Sequence, residues 1–304
     1  MSTATSAANN RPAFDQERAD AFGERLLGML NAGSLCLMTS LGHRSGLFDT
    51  LAGMAPASSK EIAGRAGLDE RYVREWLAAM VVGRFIDYDP GRDTYRLPPE
   101  HAASLTRDST SGNFAVYGQF VALLGRVEED ILHCFRHGGG VPYGRYDRFH
   151  EVMAEDSAQT VLPALETDIL PLVPGLRERL ESGIRVLDVG CGRGKAVNAL
   201  ASLFPNSRFV GYDFSEEAIA FARDESRARG NANASFEVRD VSDFDRTAER
   251  GTVDLVTTFD AVHDQKAPLA VLRGIRNSLA DDGVYLAQDI KGSSHLHGDL
   301  DHPL

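Results

Sequence analysis

Val186-Leu187-Asp188-Val189-Gly190-Cys191-Gly192-Arg193-Gly194-Lys195 is the stretch on which the fold of this 304-residue chain turns. An apolar run ending in an acid reads as a strand, and the helix-forming residues from Lys195 to Leu203 read as the helix it feeds. Glycines at every second position let the backbone pass close beneath a ligand, and the start of the helix offers free N–H groups. A dinucleotide turn would read G-x-G-x-x-G, with the third glycine one place later and no need of an acid two residues before the first. The spacing therefore argues against an NAD-linked oxidoreductase. Outward from this turn, β-branched runs alternate with helical stretches: Arg185 to Val189, Arg208 to Tyr212, Ser235 to Val238, Val253 to Thr258 and Val284 to Gln288. Strands alternating with helices predict an α/β fold whose sheet is doubly wound and mostly parallel, with five strands readable.

Three acids fall at successive strand ends, on one edge of that sheet. Asp188 belongs to the first strand. Asp213 ends the second, where a carboxylate can accept two ribose hydroxyls and Phe214 beside it can lie against a base. Asp240 follows the third strand, with Val241 alongside. The fourth strand runs into Thr258-Phe259-Asp260-Ala261-Val262-His263-Asp264. A histidine just past this strand faces the same crevice, and with an ordinary pKa of ~6.5 it can take a proton near neutrality.

The D-x-G-x-G-x-G spacing resembles that of the class I S-adenosylmethionine-dependent methyltransferases, whose fold is Rossmann-like. Val262-His263-Asp264, with Leu269 to Leu279 and Asp282-Gly283 behind it, resembles the L-H-D-W region of winged-helix small-molecule O-methyltransferases. The resemblance implies that Asp188, Gly190, Gly192, Gly194, Asp213, Phe214, Asp240, Val241 and Phe259 bind S-adenosylmethionine. It also implies that Asp240 accepts from the adenine amino group, that His263 is the general base, and that S-adenosylhomocysteine is the product. Gln265 stands in place of the Trp, and Phe259 where plant members commonly have Lys.

The N-terminal part has its own pattern. Residues 14–51 are helical in character, with Leu26, Leu27, Leu30, Leu35, Leu37, Met38 and Leu41 recurring. So much apolar surface on an arm predicts a homodimer. Ser58 with Glu61 opens a short helix that Gly67 ends, and Asp69 caps a second over Glu70 to Val82. Two short strands, 85–88 and 94–97, flank Asp89-Pro90-Gly91-Arg92-Asp93. Helix, turn, helix and wing predict an N-terminal winged-helix domain. The chain is thus expected to comprise a loose tail (1–13), dimerisation helices and winged helix (14–108), a helical linker and substrate lid (109–182), and the Rossmann-like cofactor domain (183–304).

A winged helix raises the alternative of a DNA-binding regulator sensing a nucleotide-like ligand. Residues 58–106 hold Lys60, Arg65, Arg71, Arg74, Arg84, Arg92 and Arg96 against eight acids, and the second helix begins Asp69-Glu70, which repels phosphate. The whole chain carries 32 Lys plus Arg and 44 Asp plus Glu, a net charge of −12, so no nucleic-acid partner is expected. No apolar run approaches the ~20 residues of a membrane span, and residues 1–13 lack the pattern of a signal peptide. With Cys36, Cys134 and Cys191 far apart, a reducing, cytoplasmic setting is expected and a Cys-based zinc site is not. The acceptor is expected to be a small molecule, with Phe114, Tyr117, Phe120, Tyr143, Tyr146 and Phe149 in the lid.

Asp260 and Asp289 fall where some catechol-type enzymes hold a metal, but the rest of that set is missing and no metal is expected. Members of the family close their sheet with a further hairpin. Only polar, His-rich residues follow Gln288, so the hairpin is expected to be absent, in a C-terminally shortened chain with an open fifth-strand edge.

Overall fold

The computed structural model describes residues 14–109 and 112–302, so the expected tail at 1–13 lies outside the described residues. The chain divides into two units, Met1–Gly125 and Arg126–Leu304.

In the first unit, α1 (Gln16–Ser45) opens at Asp15, whose carboxylate accepts the Arg18 N–H. The helical stretch expected over 14–51 forms two helices. Gly46, at φ 73°, stops α1 in a left-handed turn and α2 (Leu47–Ala52) starts afresh. The capping box at Ser58 and Glu61 starts α3 (Ser59–Ala66), and the Asp69 carboxylate accepts the Arg71 N–H to start α4 (Glu70–Val82). The helical spacing of Val73, Trp76, Leu77 and Met80 buries one face of α4. Trp76 fixes that face to α1 and α2: its indole N–H donates to the Met38 carbonyl at 2.8 Å, and its ring meets Phe48 edge-on at 5.3 Å. The wing is an antiparallel pair, β1 (Asp87–Asp89) and β2 (Thr94–Arg96). Its strands are shorter than expected because Ile86 and Leu97 turn into the core. Arg71 and Arg74, the basic groups on α4, are paired with Glu75 and Glu70. After α5 (Pro99–Ala102), α6 (Gly118–Gly125) packs on α1, with Gly118 against the Cys36 carbonyl. Residues 112–125, expected to belong to a linker, therefore lie within the first unit.

In the second unit, α7 (Glu128–His137), α8 (Phe149–Ala164) and α9 (Leu176–Ser182) precede the sheet. Strands and helices then alternate as the sequence pattern predicts: β3 (Arg185–Val189), α10 (Lys195–Leu203), β4 (Arg208–Asp213), α11 (Glu216–Arg229), β5 (Ala234–Val238), α12 (Phe244–Thr247), β6 (Val253–Phe259), α13 (Pro268–Ser278) and β7 (Leu279–Gln288). The order across the sheet is β5-β4-β3-β6-β7, and every pairing is parallel. This is a Rossmann-like fold. Among the described residues no strand follows β7 or pairs with its outer edge.

Strand alternation distributes the core over both faces. Val186, Leu255, Phe209 and Phe236 face Leu180 of α9, Val197 and Leu200 of α10 and Ile219 of α11. Leu187, Val189 and Val256 face Phe244 of α12 and Val271 and Ile275 of α13. Each large apolar side chain so buried contributes ~1.5 to 3 kcal/mol. The order places a reversal between β3 and β6, because the chain winds from β3 toward β5 and then crosses to β6. A crevice opens at the carboxyl ends of strands beside such a reversal.

Candidate active site

The loop after β3 shapes the floor of that crevice. Gly190, Gly192 and Gly194 are all left-handed, at φ 79°, 51° and 67°. A Cβ on Gly190 would stand 2.6 Å from Ala261 Cβ, and one on Gly194 would stand 2.5 Å from Phe236 and 2.7 Å from Ala222. These two glycines are required by the packing of the loop against β5, α11 and the turn after β6. A Cβ on Gly192 meets nothing within 4 Å, and this residue lines the open cleft, where a bound molecule can lie against bare backbone.

Asp213, at the end of β4, is buried, and its two oxygens accept the N–H groups of Gly192 and Ser215, each at 2.9 Å. Each oxygen keeps a further lone pair for a hydroxyl donor. The aromatic ring of Phe214 stands exposed beside it. Asp188 lies beneath the loop, 3% exposed, with Thr257 Oγ1 donating to it at 2.8 Å. Burial outweighs that hydrogen bond and, with the nearby charge of Asp213, pushes its carboxyl up from 3.8 to about 7.

Gly190, Gly192, Asp213, Phe214 and Phe259 line one cleft, together with Asp260, Asp264 and Gln265. Asp240 and Val241 do not line it. Val241 is buried against the α12 and α13 side of the sheet, while Asp240 is exposed, accepts the Ser242 N–H and has its carboxyl held low by that bond. The cleft's other wall comes from α8 and the turn before it: Tyr143, Phe149, His150, Met153, Ala154 and Ser157. His150, Met153, Ala154 and Ser157 recur at helical spacing, which identifies a lining face once the position of α8 is known. Tyr143 meets Phe214 edge-on at 5.0 Å.

His263 sits in a ring of acids. Its Nδ1 is 2.6 Å from Asp289 Oδ1 and 3.9 Å from Asp260 Oδ1, and its Nε2 is 3.5 Å from Asp264 Oδ1. Burial opposes the charged imidazole, but the hydrogen bond to Asp289 and the three negative charges outweigh it and raise the pKa above 6.5. Asp260 is held at φ 54°, and burial raises its carboxyl. One donor atom each from Asp260, His263 and Asp289 lies within 4.8 Å of the others. A cation at Nδ1 would have to displace the bond to Asp289. Asp289 as the partner of His263 is not visible in the sequence, since 26 residues separate them. Only the parallel pairing of β6 with β7 brings the two strand ends together.

Residues 33–107 match the family described as Rv2258c-like winged HTH domain, and residues 180–302 match a methyltransferase domain family. The chain thus carries a winged-helix domain followed by a methyltransferase domain. Malonyl-acyl-carrier-protein O-methyltransferase of Bacillus cereus is 27% identical over 162 residues, 53% of this chain and 52% of that protein. The chain therefore spans about half the length of this curated relative. Human N-acetylserotonin methyltransferase, solved with S-adenosylmethionine, superposes at a TM-score of 0.61 with 18% identity, over 91% of this chain and 81% of its own. Mitomycin 7-O-methyltransferase superposes at 0.61 with 18% identity, over 94% and 86%. At these identities the two structures share the fold of this chain.

Proposed function

We propose that this chain transfers a methyl group from S-adenosylmethionine to a hydroxyl of a small molecule, with His263 as the general base. The observation that carries this reading is the His263–Asp289 contact: His263 does not itself line the cleft, but its loop supplies Asp260 and Asp264, which line it together with Gly190, Gly192, Asp213 and Phe214. The donor set suits the cofactor. Asp213 offers carboxylate lone pairs to a ribose, Phe214 an aromatic edge to adenine, and the bare backbone of Gly192 a floor, while Asp188 and Asp260 give a cationic sulfonium a negative setting. When bound there, the cofactor supplies an electrophilic methyl group.

The work left to the protein is positioning and proton removal. Asp289 takes the Nδ1–H of His263 and so fixes the tautomer whose Nε2 carries a lone pair. As the acceptor oxygen took the methyl group, with the sulfur keeping the electron pair of the broken S–CH3 bond, the hydroxyl proton would pass to Nε2, and Asp289 would stabilise the imidazolium that forms. Replacement His263→Ala should cut turnover ~100-fold or more and leave S-adenosylhomocysteine affinity unchanged. A variant with near-normal turnover would reduce His263 to a packing residue. Cofactor use is tested separately: calorimetry with S-adenosylhomocysteine showing no heat on folded protein would refute it.

The α1 surface supports a homodimer. Phe22, Leu27, Met29 and Leu30 are each about 60% exposed, a density of apolar side chains that water disfavours. Light scattering at micromolar concentration should find a dimer, and a monomer would refute this.

A further inference from the structure

The loop that carries His263 is held at both ends by hydrogen bonds. At its start the Asp260 N–H donates to the Gln288 carbonyl at 2.8 Å, which indexes the loop to the residue just before Asp289. At its end Gln265 turns back on the loop twice. Its backbone N–H donates to the Val262 carbonyl at 3.2 Å, and its side-chain Nε2 donates to the Ala261 carbonyl at 3.0 Å. The side-chain bond closes the chain from Ala261 to Gln265 into a loop with His263 at its middle position. Ala261 is in turn seated on the glycine loop: its Cβ lies 2.6 Å from where a Cβ on Gly190 would stand, a space that only glycine leaves open. Gln265 Nε2 is 3.9 Å from the same point, and Gly190, Ala261 and Gln265 all line the cleft.

We propose that Gln265 is a positioning residue for His263: its carboxamide closes the 261–265 loop and holds the imidazole in register with Asp289 and with the cleft floor at Gly190. The inference rests on the reading of His263 as the base. His263 and Asp264 are exposed, so packing does little to fix the tip of the loop and hydrogen bonds must do it. The charged groups facing the ring are Asp289 from the end of β7 and Asp260 and Asp264 from its own loop.

Gln265→Met keeps the length of the side chain and removes the donor. Turnover should fall ~10-fold or more, the scale of a misplaced catalytic group, while S-adenosylhomocysteine affinity stays within about threefold of wild type. Gln265→Ala, which adds no bulk to the cleft, should behave alike. Asp289 raises the His263 pKa, so a ring that drifts from Asp289 should titrate lower. NMR of the imidazole in the S-adenosylhomocysteine complex should find the midpoint down by about half a pH unit in both variants. In an Asp289→Asn background the loss of turnover from Gln265→Met should shrink, because the contact it protects is already weakened. An unchanged His263 midpoint, or turnover losses that add in full with Asp289→Asn, would overturn the proposal. Should the midpoint fall as expected while His263→Ala remains active, the positioning stands and the base assignment falls.

Discussion

Asp289 Oδ1 lies 2.6 Å from His263 Nδ1, and the same oxygen accepts the N–H of Ile290 at 2.8 Å. The backbone bond fixes the carboxylate, and the carboxylate fixes the ring. Removing its charge has a signed consequence. Asp289 raises the His263 pKa, so Asp289→Asn should move the rising limb of the turnover–pH curve to lower pH. It should also lower the plateau ~10-fold or more, because the imidazolium formed in the reaction loses its partner. A profile from pH 5.5 to 9 checks both, and a rising limb shifted to higher pH would contradict the dyad.

Asp213→Ala should weaken S-adenosylhomocysteine by ~1.5 to 3 kcal/mol, the scale of lost charge-assisted hydrogen bonds. Part of that loss is indirect, since the carboxylate also accepts the Gly192 and Ser215 N–H groups that shape the cleft floor. Asp213→Asn, which can keep one acceptor oxygen, should fall between wild type and Ala in calorimetry.

The glycine loop offers a contrast within one motif. Gly194→Ala puts a Cβ 2.5 Å from Phe236 at φ 67°, and should cost roughly 2 to 5 kcal/mol in urea unfolding. Gly192→Ala meets no neighbour, so its stability cost should be the ~1 to 2 kcal/mol of the left-handed backbone alone. Its main effect should be weaker S-adenosylhomocysteine, because the new methyl group enters the cleft. Equal stability losses for the two would show that the loop repacks.

How much of this was legible follows from the range of the signals. The loop from Gly190 to Gly194 and the strand-end Asp213 are local, and the sequence pattern places them where the structure does. The break at Gly46 was hidden by helix-favouring residues on both sides of one glycine. Asp289 reaches His263 only through strand order, which no spacing in the chain encodes. Asp240 follows β5 where the strand pattern puts it, and its carboxylate accepts the nearby Ser242 N–H.

Asp188 gives a prediction in which stability and function oppose each other. Its carboxyl is raised from 3.8 to about 7 because a charge beneath the loop has little solvent. With the folded pKa above the unfolded one, protonated Asp188 favours the fold. That contribution is complete below about pH 4 and is lost as the pH rises through about 7. A gap of about three units corresponds to at most roughly 4 kcal/mol. Asp188→Asn keeps an oxygen to accept from Thr257 and removes the titration. The ligand-free variant should therefore gain on wild type as pH rises, with urea midpoints similar at pH 4.5 and higher for Asn at pH 8. The same substitution removes a negative charge from beneath the loop, so S-adenosylmethionine should lose more affinity than S-adenosylhomocysteine, whose sulfur is neutral. Urea midpoints that run parallel for the two proteins from pH 4.5 to 8 would mean that Asp188 ionises in the fold at no cost, and its place under the loop would then need another cause.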